Sequence, residues 1–195
     1  MFEKPHLKYS VRENINIFLR SGKICLLYDL IYCLKEQDLP GLPVSKDFEK
    51  VFNSVNWSYM HKVLKAYGFG ENICRWILSF YTNIRSSVVV NGKAFSSSQI
   101  ERGCRQGGTI SPYIFILCAE VLACKIRKDK EIKGVQILDG ESKISQFADN
   151  TSFILEGDSK SCEKCFGVPR EFENISGLKL NYEKHATSGL EVKIS

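Results

Sequence analysis

The chain has 195 residues, 44% of them hydrophobic and 25% charged, with 27 Lys and Arg against 22 Asp and Glu for a formal charge of +5. That length suits one domain, and an aromatic content of 11% argues against disorder. The longest apolar stretch, Pro112 to Ile126, contains Glu120 and falls short of the roughly 20 residues that span a bilayer, so no membrane role is expected.

The mild basic excess suits a polyanionic partner without demanding one, and it is spread along the chain instead of massed in a tail. No targeting signal is visible, which points to the inside of the cell, nucleus or cytoplasm. Eight cysteines fall mostly inside apolar patterns and read as reduced core thiols. Cys162 and Cys165 form a lone C-x-x-C, which lacks the second pair of a four-thiolate zinc site.

In chain order, residues 1–40 hold apolar residues at helical spacing, crowded on several faces, and close at the turn signal Asp38-Leu-Pro-Gly. A short strand is expected from Leu42 to Phe48, running into Asp47, although Ser45 and Lys46 interrupt its apolar half. Ser54 or Asn56 caps a helix that Gly68 ends, and a second amphipathic helix carries Ile73, Trp76, Ile77, Phe80 and Tyr81. Ser87 to Phe95 reads as a hairpin turned by Asn91-Gly92.

A basic, glycine-rich loop, Arg102 to Gly108, delivers the chain to Ser111-Pro112, a cap with proline at the first helical position, where a long buried helix must begin. Strands at Gly134–Leu138 and Lys143–Ala148 flank Asp139-Gly140, the second leads to Asp149, and Ser152–Leu155 returns. A helix from about Ser161 to Ile175 and a strand at Leu178–Asn181 follow.

Asp47 and Asp149 are therefore two strand-end acids about 100 residues apart, joined by hairpins and helices able to bring their strands together. Paired carboxylates hold divalent metals, and Mg²⁺ takes one or two of them plus substrate phosphates for in-line phosphoryl transfer. For any arbitrary pair of acids, two solvated turn residues are the commoner outcome. The pair needs further support.

Four stretches supply it: DFEKVFNSV around Asp47, IERGCRQGGTISPYIFILCAEVLA, ISQFADNTSFIL and SGLKLNYEK. In order and spacing they resemble successive motifs of the reverse transcriptases encoded by LINE-type (non-LTR) retrotransposons, over most of Asp38 to Lys184. The resemblance implies an α+β fold: a polymerase palm, its antiparallel sheet backed by helices, at 41–195, with a helical, fingers-like partial segment at 1–40 and no thumb.

It also implies RNA-directed DNA polymerase chemistry with Mg²⁺, or Mn²⁺, as cofactor. The partners would be an RNA template, a DNA primer and deoxynucleoside triphosphates. Asp47 and Asp149 match metal-binding acids, and Asn150 the second hairpin acid. Phe48 and Phe52 fall at nucleotide contacts, where the Phe52 ring would exclude a 2′-hydroxyl, and Arg105, Gln106 and Gly107 match an Arg-Gln-Gly loop at template and nucleotide. Lys184 matches a lysine placed at the departing pyrophosphate. From the residues alone, Phe52 reads equally as a core Phe and Lys184 as a solvated surface Lys.

The departures are Asn150 in place of an acid, Asn53 and Asn56 where acids are common, Ser45 and Lys46 in the first strand, and Gly108-Thr109 for Asp-Pro. With a chain that stops soon after Lys184 and holds no endonuclease segment, they lead to the expectation of a truncated copy with an impaired site. Alternatives are a catalytically dead nucleic-acid-binding remnant and a remnant with no function.

Overall fold

A computed structural model describes residues 41–137, 140–147 and 149–181. The helical segment expected at 1–40, Leu138, Asp139, Ala148 and Lys184 lie outside the described residues. The central element is a four-stranded antiparallel sheet. It holds β1 (Leu42–Glu49), β8 (Ile144–Phe147), β9 (Asn150–Leu155) and β10 (Lys179–Leu180) in the order β10-β1-β9-β8. Its two middle strands come from opposite parts of the chain: β1 pairs β9 from Leu42 opposite Leu155 to Asp47 opposite Asn150.

Strand alternation divides β1 into two faces. Val44, Lys46 and Phe48 turn toward the helices, where Val44 and Phe48 join the apolar core and Lys46 is buried. Pro43, Ser45 and Asp47 turn to the other side. The helix layer consists of α1 (Val51–Ser54), α2 (Trp57–Ala66), α3 (Glu71–Ser79), α4 (Ser111–Lys128) and α5 (Ser159–Ser176). Phe153 and Leu155 of β9 and Ile144 of β8 share one buried cluster with Met60 and Leu64 of α2, Leu122 of α4 and Phe172 of α5. The Tyr59 hydroxyl, buried in α2, donates to the Cys118 carbonyl of α4 at 2.9 Å.

The helix boundaries follow local chemistry. Asn56 accepts from the Ser58 and Tyr59 N–H groups, and Gly68, at φ +84, lies just past the end of α2. The helix begins at Ser111 itself, so the expected serine cap is replaced: Ile110 precedes the helix without a side-chain cap, and the Ser111 hydroxyl donates instead to the Arg105 carbonyl at 2.7 Å. Asp158, whose carboxylate accepts from the Ser161 N–H, caps α5. Inside α4, buried Glu120 pairs with Arg127 about two turns on, which lets a carboxylate sit in the buried part of the helix.

Two short hairpins complete the architecture. β2 (Arg85–Ser86), β3 (Val89–Val90), β4 (Lys93–Ala94) and β5 (Ser98–Gln99) form one long arm, exposed from Arg85 to Gln99, whose tip residues Asn91 and Gly92 both have positive φ. β6 (Val135–Ile137) and β7 (Gly140–Ser142) pair with each other, so the strand expected at 134–138 turns back on 140–142 before β8 begins. No helix among the described residues is long and apolar enough to cross a membrane.

Ser45, which interrupts the apolar pattern of β1, stands directly opposite Ser152, and their hydroxyls meet at 2.6 Å. Removing one partner strands a half-buried hydroxyl, whereas replacing both by apolar groups does not. Ser152→Val is therefore expected to lower the unfolding free energy by about 1 kcal/mol, and Ser45→Val/Ser152→Val to recover most of it. Urea unfolding midpoints of the two single variants and the double variant check the cycle.

Candidate active site and nucleic-acid groove

The site begins where β1 leaves the sheet. Asp47 is the last β1 residue paired with β9, and its partner there is Asn150, so the two side chains share the face turned away from the helices, with Cβ atoms about 5 Å apart. Asp149 lies one residue earlier, exposed in the two-residue connection of the β8–β9 hairpin. Backbone bonds fix this junction: the Phe48 N–H donates to the Asp149 carbonyl at 3.0 Å, and the Asn181 N–H to the Asp47 carbonyl at 2.7 Å. Three chain segments thus meet at the backbone of Asp47 and Phe48.

Phe48 takes the opposite face. It is buried with its ring edge-on to Phe115 of α4 at 5.8 Å, so its side chain supports the site from behind and contacts no groove. Lys50 then adopts a left-handed backbone at φ 46, which swings the chain straight from β1 into α1. Phe52 follows, half-buried, tilted against Phe115 at 6.3 Å on one side and lining a groove on the other. Phe52 is thus a core contact on one side and a groove wall on the other.

That groove, about 760 Å³, lies between α1, the base of the exposed arm and the loop from Glu101 to Gln106. The loop is pinned to α1 and α2 through its backbone. Gly103 donates to the Val55 carbonyl at 2.7 Å, Cys104 donates to the Phe52 carbonyl, and the Trp57 indole N–H donates to the Gly103 carbonyl at 2.7 Å. Gly103, at φ +95, is so close to α1 that a Cβ there would lie 2.7 Å from the Phe52 oxygen. Gly107, at φ +78, turns the loop toward α4.

Arg105 and Gln106 line the groove with exposed side chains, and Arg102 and Arg85 do so as well. Arg85 is held by Ser97 across the arm, donating to its hydroxyl at 2.9 Å and its carbonyl at 3.1 Å. Among the described residues neither Arg102 nor Arg105 forms an ion pair, which leaves guanidinium groups available to phosphate. Beneath them burial pushes the Cys104 thiol up to about 11, so it stays protonated at neutral pH.

Burial likewise pushes Cys165 up to about 12, and Cys162 is raised too, so the C-x-x-C on α5 presents no thiolate. Among the described residues no three His, Cys, Asp or Glu side chains gather into a metal cluster. Asp47, Asp149 and Asn150 instead offer two carboxylates and one amide oxygen, hard donors suited to Mg²⁺ completed by substrate oxygens.

Of the residues singled out in the sequence, Asp47, Asp149 and Asn150 converge, Phe52, Arg105 and Gln106 share the groove, Gly107 shapes its loop and Phe48 enters the core. The sequence reading overlooked Trp57, Phe80, Arg85 and Arg102 as groove residues. Arg102 stood in the basic loop and was legible; Trp57 reads as an ordinary helix-start aromatic.

A family model described as reverse transcriptase (RNA-dependent DNA polymerase) matches residues 15–194. The "Transposon TX1 uncharacterized 149 kDa protein" of Xenopus laevis is 25% identical over 171 residues, 86% of this chain and 12% of that protein. The "Retrovirus-related Pol polyprotein from type-1 retrotransposable element R2" of Popillia japonica is 27% identical over 162 residues, 82% of this chain and 22% of that one. The chain spans less than a quarter of either relative. Among solved structures, telomerase from Candida tropicalis in complex with a TWJ fragment of telomeric RNA superposes with a TM-score of 0.63 at 13% identity, over 97% of this chain and 34% of that one. The apo enzyme truncated from its C-terminal domain gives 0.59 at 15% identity, over 91% and 39%. These likenesses establish a shared fold.

Gly103→Ala is expected to destabilise the fold by about 2 kcal/mol or more, because it adds both a left-handed penalty and a clash with the α1 backbone. The indole environment of Trp57 should change with it. Urea unfolding with tryptophan fluorescence reads both; an unchanged midpoint would mean that the loop is not anchored at Gly103.

Proposed function

The chain belongs to the reverse transcriptase (RNA-dependent DNA polymerase) family, and from that premise we propose that it is part of a retrotransposon polymerase joining deoxynucleotides to a primer 3′-hydroxyl on an RNA template. One observation carries the reading: the β1–β9 register sets Asp47 across from Asn150, next to Asp149 in the hairpin connection, on the strand whose chain continues through Lys50 into Phe52 of an arginine-lined groove. A divalent metal bound there supplies Lewis-acid polarisation of the transferring phosphate and charge neutralisation at the leaving oxygens.

The chain's own residues do the rest. Asp47 and Asp149 supply negative charge from a strand end and a hairpin connection whose backbones are bonded together, so the main chain that carries both is already in place when substrate arrives. Arg105, at the groove wall, is placed to receive phosphate oxygens, and Gly107 keeps its loop free of side-chain bulk. The Phe52 ring, braced by Phe115, is the wall against which a sugar would rest.

Asn150 weakens this arrangement. It faces Asp47 and contributes a neutral oxygen where a carboxylate would oppose metal and triphosphate. That same observation favours a second reading: a chain that binds nucleic acid and metal-nucleotide poorly and turns over slowly or not at all. The impairment is local, because the register, the hairpin and the groove are all intact.

Primer extension on an RNA template, with Mg²⁺ and then Mn²⁺, tests the proposal. Slow or undetectable extension is expected from the parent chain. Asn150→Asp should raise the rate by about tenfold or more, each tenfold corresponding to 1.36 kcal/mol of transition-state stabilisation. Asp149→Ala should abolish extension with either metal. Brisk extension by the parent, unchanged in Asn150→Asp, would remove the position from the metal chemistry.

In the Asn150→Asp background, Phe52→Val should admit ribonucleotides if the ring walls off the sugar. Competition between deoxy- and ribonucleotides reads the selectivity; a ratio that survives the truncation would reduce Phe52 to its contact with Phe115.

A further inference from the structure

The outer side of α3 is unusual for a helix of a packed domain. Cys74 and Ile77 are buried against the core, yet Trp76 on the opposite side is 61% exposed and Phe80, at the helix end, 49%. Their rings meet edge to face at 5.1 Å, forming a two-ring surface directed outward. Phe80 also lines the groove, so this surface continues into the wall that carries Arg85, Arg102 and Arg105.

Charge singles out the same region. Residues 72–119 contain Arg75, Arg85, Lys93, Arg102 and Arg105 against Glu101 alone, so this stretch carries four of the chain's five net positive charges. Three of these cations, Arg85, Arg102 and Arg105, come from separate segments and line one groove. Exposed rings alone would fit an apolar protein segment. Rings joined to a groove of guanidinium groups fit a strand with flat bases and a phosphate backbone.

We propose that Trp76 and Phe80 form a base-stacking platform for single-stranded RNA, whose backbone runs on into the groove over Arg85, Arg102 and Arg105. The assignment of the strand as RNA template rests on the reverse transcriptase reading; the platform itself rests on ring exposure and charge. Stacking requires unpaired bases, so duplex RNA is a poor ligand for it. Neither ring touches Asp47 or the hairpin tip, and binding needs no metal.

The test uses the full chain in EDTA, without primer or nucleotide, and fluorescence anisotropy of a labelled single-stranded RNA of about a dozen nucleotides. Trp76→Leu and Phe80→Leu keep an apolar side chain and remove the π-face; each is expected to weaken binding by about tenfold, whereas Trp76→Tyr retains most of the affinity. Arg102→Gln should lower the slope of log affinity against log salt by about 0.7, one phosphate contact on a single strand. Both side chains are exposed, so unchanged thermal midpoints serve as the folding control.

Full RNA affinity in both leucine variants would overturn the platform and assign the rings to an apolar protein partner. Duplex RNA bound as tightly as the single strand would overturn it too. The polymerase reading fails separately: an Asn150→Asp chain that extends no primer, with RNA affinity lost in the leucine variants, supports the platform alone, and one that extends primers with leucine variants of parental affinity overturns the platform alone.

Discussion

The antiparallel pairing of β1 with β9 is the constraint on which the rest depends. It joins segments about 100 residues apart and sets which side of every strand residue faces the helices. A slip of one residue would drive Asp47 into the core and turn Phe48 out, because side chains alternate with a period of two. That slip is opposed on both strands at once. Val44, Phe48, Phe153 and Leu155 are all needed in the apolar cluster with α2, α4 and α5, and the Phe48 and Asn181 backbone bonds lock the end where the acids lie. Site geometry and core packing are thus one requirement.

From that sheet end, a chain of backbone contacts extends the site sideways. Lys50 turns β1 into α1, α1 receives the Gly103 loop through the Phe52 and Val55 carbonyls, and Trp57 closes over Gly103. The guanidinium groups of the loop are therefore positioned by main-chain bonds that do not depend on their own side chains. Such an arrangement tolerates change at Arg102 or Arg105 while preserving the groove. It tolerates little at Gly103, where only the absence of a Cβ allows the approach.

Several residues that read as defects in the sequence have local partners in the fold. Ser45 finds Ser152 across the ladder, Asn56 caps α2, and Glu120 within α4 is met by Arg127. Ser45 and Glu120 meet the requirement that a polar group removed from water be bonded, and Asn56 satisfies the first N–H groups of its helix. Asn150 is different in kind. It satisfies the fold as well as an Asp would, since its Cα pairing with Asp47 is made by the backbone, and its effect is confined to the charge at the tip. The scaffold has accommodated its polar departures.

How much of this was legible beforehand depends on the range of the interaction concerned. Periodicity, caps and turn residues are local, and they located α2, α3, α4, α5, the Asn91-Gly92 hairpin and the β8–β9 hairpin to within a few residues. Motif order supplied the palm-type fold and the identity of Asp47, Asp149, Arg105 and Gln106 as a set. It is silent on side-chain direction: the motif match sets Phe48 among nucleotide contacts, whereas alternation sends it into the core, and the helical pattern does not tell the exposed Ile73, Trp76 and Phe80 from the buried Ile77. The Ser-Pro signal fits a cap, but the Ser111 hydroxyl is claimed by a loop carbonyl six residues earlier. By itself the sequence determined the elements, the family and the chemical types available at the site, because these depend on neighbours along the chain. Only the tertiary structure decided that Asn150 faces Asp47, that Gly103 seats the loop on α1 and that Arg85, Arg102 and Arg105 line one groove, because each arises from packing between segments whose separation in sequence carries no signal of their distance in space.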